Sequence, residues 1–110
     1  MTSFQQREQG FEAKFARDEE FRFRVAARRD RLFAQWAAER LRLPSQAAAE
    51  LVAAALGAPG GPGHDSALLQ RIAEAFAARG AAVPASGLAA ALGQCAAQAE
   101  RQLLDGPPAD

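Results

Sequence analysis

The sequence predicts an all-α protein: a small four-helix bundle with a long first helix whose N-terminal part projects as an arm. Three observations lead there. Strand formers are scarce, with no Tyr, Thr2 as the single Thr, and only Val25, Val52, Ile72 and Val83 as further β-branched residues. Apolar residues recur at helical steps of three and four. Helix breakers gather at Pro44, at Gly57 to Gly63, at Gly80 to Pro84 and at Gly106 to Pro108, which leaves four helical segments.

The first helix has Thr2 or Ser3 as candidate caps and meets no proline until Pro44, a potential length of about forty residues. Its opening stretch, FQQREQGFEAKFARDEE, holds three Phe among charged, amide and small residues. On a helical wheel Phe4, Phe11 and Phe15 fall within about 40° of one another. Arg7, Glu8, Glu12, Lys14 and Arg17 take other directions. Such a ridge buries either in its own core or in a groove on a partner. Gly10 weakens the segment by about 1 kcal/mol relative to Ala, so residues 1–18 are expected to be a frayed or disordered arm when unbound.

After a charged gap, the apolar face continues as Phe21, Val25, Leu32, Trp36 and Leu43, with Phe23 and Leu41 off that face. Trp36 reads as the central core aromatic. Asp18–Arg22 and Glu20–Arg24 are acid-before-base pairs at i,i+4. Arg22, Arg24, Arg28, Arg29 and Arg31 form a dense block that reads as a solvated face or as partners for acidic rims.

Pro44 ends this helix, and Ser45 is the expected cap of a second, Gln46 to Leu56, burying Ala48, Leu51, Val52 and Ala55. The APGGPG run at 58–63 is a turn-rich linker. His64 follows it and reads as an exposed residue before a third helix capped by Asp65. That helix, Ser66 to Arg79, carries Leu68, Leu69, Ile72, Ala75 and Phe76, and Gly80 stops it. Pro84 opens the fourth, where Leu88, Leu92, Cys95, Ala99 and Leu103 make a continuous stripe. Cys95 on that stripe reads as a buried small hydrophobe. Gly106 to Pro108 ends the helix, leaving residues 105–110 as an expected disordered tail and 19–110 as the bundle domain.

The 110 residues suit one small domain with a thin, Ala-rich core. Formal net charge is zero. Residues 1–43 hold ten basic and seven acidic side chains and residues 44–110 hold three and six, too slight and mixed an asymmetry for nucleic acid. Lys14 is the single Lys, which with the Ala excess reads as the codon bias of a GC-rich genome. The longest apolar run is far short of a membrane span. MTSFQQREQGF lacks the basic start and apolar centre of a secretory signal, and one Cys rules out an internal disulfide framework, which suits a cytoplasmic setting. One His and one Cys offer no metal set and no triad, and APGGPG lacks the ending of a phosphate loop. The chain therefore reads as no enzyme, with no cofactor.

FEAKFARDEE, continued by AARRDRLFAQWAAER, resembles the zeta-subunit family of alphaproteobacterial ATP synthases, small natural inhibitors of the ATP-hydrolysing direction of the F-type enzyme. The likeness is carried by Phe4, Arg7, Glu8, Phe11, Glu12, Lys14, Phe15, Asp18, Phe23, Arg28, Arg29, Leu32, Trp36 and Ala37. After Pro44 only the order of helices and the Pro62–Gly63 turn are similar. The resemblance implies the four-helix fold and a regulatory partner of the catalytic head. Its alpha and beta subunits, with gamma as a further candidate, would meet Phe4, Arg7, Glu8, Phe11, Glu12, Lys14, Phe15 and Arg17. It also implies a cytoplasmic protein, peripheral to the inner membrane through the ATP synthase, monomeric when free and not itself inserted in the membrane. The acidic cluster usual in the family near residues 58–66 is largely replaced here by Gly, His and Ser, so any cation or nucleotide contact by those carboxylates stays open. Two rivals come from the residues themselves. One is a helical adaptor that homodimerises or binds another protein through the Phe4/Phe11/Phe15 ridge; the other is a membrane-surface helix, which the interspersed acids oppose.

Overall fold

A computed structural model of the chain describes the backbone of residues 2–105 and the side chains of residues 17–105. Four helices follow one another: α1 (Thr2–Arg40), α2 (Ser45–Leu56), α3 (His64–Ala78) and α4 (Ala85–Leu104). Among the described residues there is no strand. The helix α1 runs through Gly10 without a break. Its 39 residues give a rod of about 58 Å at about 1.5 Å per residue. The molecule is 66 Å long and 32 Å and 21 Å across, so α1 spans it nearly end to end. The 12, 15 and 20 residues of the other helices make much shorter rods, gathered on the C-terminal half of α1.

α1 packs chiefly on α4 and α2, and α3 closes on α4 and α1. The buried line of α1 is Asp30, Phe33, Ala34, Ala37 and Ala38, with Leu41 packed at its end. This corrects the expected face. Phe21, Val25, Leu32, Trp36 and Leu43 are all half-buried and flank the line. The fully buried aromatic is Phe33, not Trp36. Trp36 lies flat along Phe33, ring centroids 5.7 Å apart and planes 9° apart, and tilts against Phe76 at 5.8 Å. Arg40 covers it from the solvent side, 5.3 Å above the ring. The physical reason is the size of the neighbours. Ala34 and Ala37 let the backbones of α2 and α4 approach, and small residues set the axis of closest contact. Phe33 lies on that line, whereas Leu32 and Trp36 are displaced to its flanks.

The other helices hold to their expected faces. Leu68, Ile72 and Phe76 of α3 are buried, as are Leu88, Leu92, Cys95 and Ala99 of α4. Burial holds the Cys95 thiol above its usual range and hence protonated. In α2 only Ala55 is fully buried, while Ala48, Leu51 and Val52 are partly so. α2 and α3 begin one and two residues earlier than expected. Pro44 and Gly63 occupy the N-cap positions, and neither Ser45 nor Asp65 caps.

Two helix ends share one hydrogen-bond pattern with different residues at its hinge. After α3, Ala81 N–H donates to the Phe76 carbonyl (2.9 Å) and Gly80 N–H to the Ala77 carbonyl (3.0 Å), with Gly80 at φ 69°. After α1, Leu43 N–H donates to Ala38 (3.0 Å) and Arg42 N–H to Glu39 (3.1 Å), with Arg42 at φ 53°. Both are Schellman endings, which favour Gly at the left-handed position. The left-handed backbone costs an L residue about 1–2 kcal/mol. Gly gives back about 0.4–1 kcal/mol of that through the freedom of its unfolded chain. Arg42→Gly is therefore expected to stabilise the fold by about 0.5–1 kcal/mol, read as a higher urea midpoint at unchanged slope.

Candidate functional site

Two surfaces carry the polar and apolar groups that the core does not absorb. The first is the root of the arm. Arg17, Asp18, Glu19 and Glu20 are exposed, and so are Arg22, Phe23 and Arg24. Arg22 pairs with Glu19 at 2.9 Å, one residue from the expected partner Asp18 and equally a helix-surface neighbour. Arg24 pairs with Glu20 at 2.6 Å, as its spacing predicts. Both pairs are open to water and worth little alone. Phe23 is 75 % exposed, although it lies on the same side of the helix as Ala34 and Leu41. It extends the core-facing direction of α1 beyond the last residue that the bundle covers, and with Leu56 and Leu103 it lines a groove rimmed by Arg24, Arg28 and Arg31.

The second surface is a charged clamp that sequence reasoning missed. Asp30 is only 4 % exposed and sits in the buried line of α1. Its Oδ1 accepts from Arg29 Nε at 2.9 Å, and its Oδ2 faces His64 Nε2 at 2.6 Å. The Arg29 guanidinium also forks onto Asp65, at 2.8 Å and 3.3 Å. The His64 Nδ1 meets the Pro59 carbonyl at 2.8 Å. His64 is thus no bystander before a helix, and Asp65 is an ion-pair partner for α1 rather than a cap. Arg29 is a packed structural residue, while Arg28 donates to the Gln102 side chain of α4 at 3.1 Å. The bond to Asp30 holds the His64 ring above its ordinary value, and the Arg29 fork holds Asp65 below the usual carboxylate range. No buried side-chain polar atom among the described residues lacks a partner. One signal was legible: Asp30 stands three and four residues before Phe33 and Ala34, where a carboxylate needs a buried partner.

Of the residues assigned to partner binding from sequence, Arg17 is exposed at the arm's root. Phe4, Arg7, Glu8, Phe11, Glu12, Lys14 and Phe15 belong to the helical backbone of α1, and their side chains lie outside the described residues. Among the described residues no cluster of His, Cys, Asp and Glu could hold a metal ion, and no helix is long and apolar enough to cross a membrane.

The family model described as ATPase inhibitor subunit zeta matches residues 1–102. The chain belongs to that family. Comparison with curated proteins and with solved structures returned no match. Zeta membership gives the chain the role of an ATPase inhibitor, and it implies a regulatory subunit working on the ATP synthase. The match takes in all of α1, α2 and α3 and nearly all of α4. In this zeta subunit the clamp between Arg29, Asp30, His64 and Asp65 ties α1 to the start of α3 within the bundle.

Proposed function

We propose that residues 1–18 form the inhibitory arm and residues 19–110 the body that carries it. The arm enters the interface between two subunits of the catalytic head, alpha and beta, and reaches toward gamma. Phe4, Phe11 and Phe15 bury against apolar walls, and Arg7, Glu8, Glu12, Lys14 and Arg17 meet the rim. A helix lodged there blocks closure of the interface and stops rotation in the hydrolysis direction. Rotation in the synthesis direction expels it. The bundle is too wide to follow and acts as a handle.

The observation that carries this reading is the continuity of α1. A single helix joins the Phe-bearing segment to a half whose contacts with α2 and α4 are complete, across a root exposed from Arg17 to Glu20. Magnitudes explain why continuity matters. Three buried Phe contribute about 4.5–9 kcal/mol, at about 1.5–3 each. Ordering some fifteen flexible residues costs about 1–2 kcal/mol each. A free peptide must also form a costly helical nucleus, whereas an arm growing from an existing helix does not.

The test is a titration of the intact protein and of a 1–18 peptide into the purified catalytic head of its own source, reading ATP hydrolysis. Saturable inhibition by the intact chain is expected, with the peptide at least about tenfold weaker, the factor that about 1.4 kcal/mol gives. Phe11→Ala and Phe15→Ala should each weaken inhibition by a similar factor or more. No inhibition by saturating intact protein, or equal potency of peptide and protein, would refute the mechanism.

A further inference from the structure

We infer that the contact between His64, Asp30 and the Pro59 carbonyl is a proton-operated latch that fastens the α2–α3 linker and the start of α3 onto α1, closed at acidic to neutral pH and released on alkalinisation. The inference concerns the bundle and is independent of where the arm binds.

The His64 ring faces more acceptors than a neutral imidazole has donors. The two ring nitrogens of His64 face two acceptors: the Pro59 carbonyl at 2.8 Å from Nδ1 and the Asp30 carboxylate at 2.6 Å from Nε2. A carbonyl has no proton to give, so Nδ1 must donate. A carboxylate oxygen at 2.6 Å from the other nitrogen also needs a proton between the two atoms. Neutral imidazole supplies one N–H, and imidazolium supplies two. The closed geometry therefore holds one proton more than a neutral ring beside an ionised Asp30. When that proton leaves, one of the two bonds loses its donor: either the Pro59 carbonyl is released, or the buried Asp30 keeps only Arg29.

Titratable and charged groups surround the latch on three helices. From α1, Asp30 favours the imidazolium and Arg29 opposes it. From α3, Asp65 is held by the Arg29 fork. From α4, the Cys95 thiol is kept neutral by burial, and Glu100 lines a groove with Arg29. The linker itself, residues 58–63, has no charged side chain. With His64 protonated, the two cations and two carboxylates of the clamp balance. With it neutral, the clamp carries a net negative charge.

The linker has few other means of staying in place. It consists of Ala, Pro and Gly, and Gly61 is at φ 92°. Besides the ring, its ties to the following helix are two backbone bonds near the helix start, from His64 N–H to the Gly61 carbonyl at 3.1 Å and from Ala67 N–H to the Gly63 carbonyl at 3.0 Å. Ala58, Gly60 and Gly61 form one wall of a depression beside Phe23, Ala27 and Leu56, so release of the latch also opens the apolar flank of α1.

The sign follows from the raised folded value of His64. Its contribution is fully present below the unfolded value near pH 6.5 and is lost as pH rises through the folded value. Asp65 works the other way, since its depressed value gives stability that fades only as pH falls through it. His64 is the chain's single His, so proton linkage near neutral pH can be traced to it.

The experiment uses the full chain. Ring signals of His64 are followed by NMR across pH, and urea midpoints are measured on the same samples for the wild type, His64→Gln and Asp30→Asn. The wild-type ring should titrate above about pH 6.5. The wild-type midpoint should fall through the same pH range, the His64→Gln midpoint should stay flat there, and Asp30→Asn should bring the ring down to its ordinary value or below. A wild-type ring titrating at or below its ordinary value would overturn the latch. So would parallel midpoint profiles for the wild type and His64→Gln. If either variant fails to fold, the wild-type ring titration set against its own midpoint profile still decides.

Discussion

Deleting residues 2–18 should abolish inhibition of ATP hydrolysis and leave the bundle folded. The fold half of this expectation rests on where the contacts of α1 lie. Its buried line begins at Asp30, and Arg17 to Glu20 face solvent. The shortened helix still carries Phe33, Ala34, Ala37 and Leu41 to their partners on α2, α3 and α4. It also gains a favourable start, because Glu19 and Glu20 would fall in its first turn, next to the positive end of the helix dipole. The urea midpoint should move by no more than about 1 kcal/mol equivalent, as expected for changes outside the core. The functional half rests on the proposed burial of three Phe. Realising even the lower end of about 4.5 kcal/mol lowers potency by about a thousandfold when it is removed. Far-UV circular dichroism and an ATP-hydrolysis titration of the truncated chain read the two halves separately. A truncated protein that loses its fold would put the ridge in the core. One that changes from oligomer to monomer would put it in a dimer seam.

Phe33→Ala should be the most damaging single change in the bundle. The ring is fully buried and stacked on Trp36, and its neighbours Ala34 and Ala37 are too small to close the gap. Phe to Ala in such sites costs about 3–5 kcal/mol. A domain this small holds about 5–15 kcal/mol in all, and the low end suits an Ala-rich core. Much of the variant should therefore be unfolded at modest urea concentration. Phe23→Ala removes an equally large ring from the same helix, yet should change stability by no more than about 0.5 kcal/mol, since that ring is already in water. Side-by-side urea curves give the contrast. Similar costs at the two positions would mean that the bundle covers Phe23 in solution.

These two Phe also mark how far the sequence was legible. The number and order of helices followed from breakers alone, because Pro44, the Gly–Pro linker and Gly80 act on the chain locally. The stripe from Leu88 to Ala99 was readable because the residues at steps of four, three and four, Leu88, Leu92, Cys95 and Ala99, are themselves buried in α4. On α1 the same method chose the wrong line. Periodicity weights residues by size and hydrophobicity, whereas close helix packing placed Ala34 and Ala37 on the axis of contact and moved Leu32 and Trp36 to its flank. Asp30 pointed to a buried partner, but the residues that meet it were illegible for another reason. The bonds of His64 to Asp30 and of Arg29 to Asp65 join residues 34 and 36 positions apart, and no local pattern carries that information. The proposed arm was legible through its resemblance to the zeta family, since a ridge of Phe by itself does not say in whose interior it ends.

Because α1 has no joint between Thr2 and Arg40, the azimuth of the body is locked to that of the tip. Each residue added between them would swing the body by about 100° and push it about 1.5 Å further out. Four added residues would bring it back to within about 40° of its starting direction, one turn higher. The spacing between ridge and bundle is in this sense a phase, and length changes near Arg17 to Glu20 are tolerable only in near-whole turns of the helix.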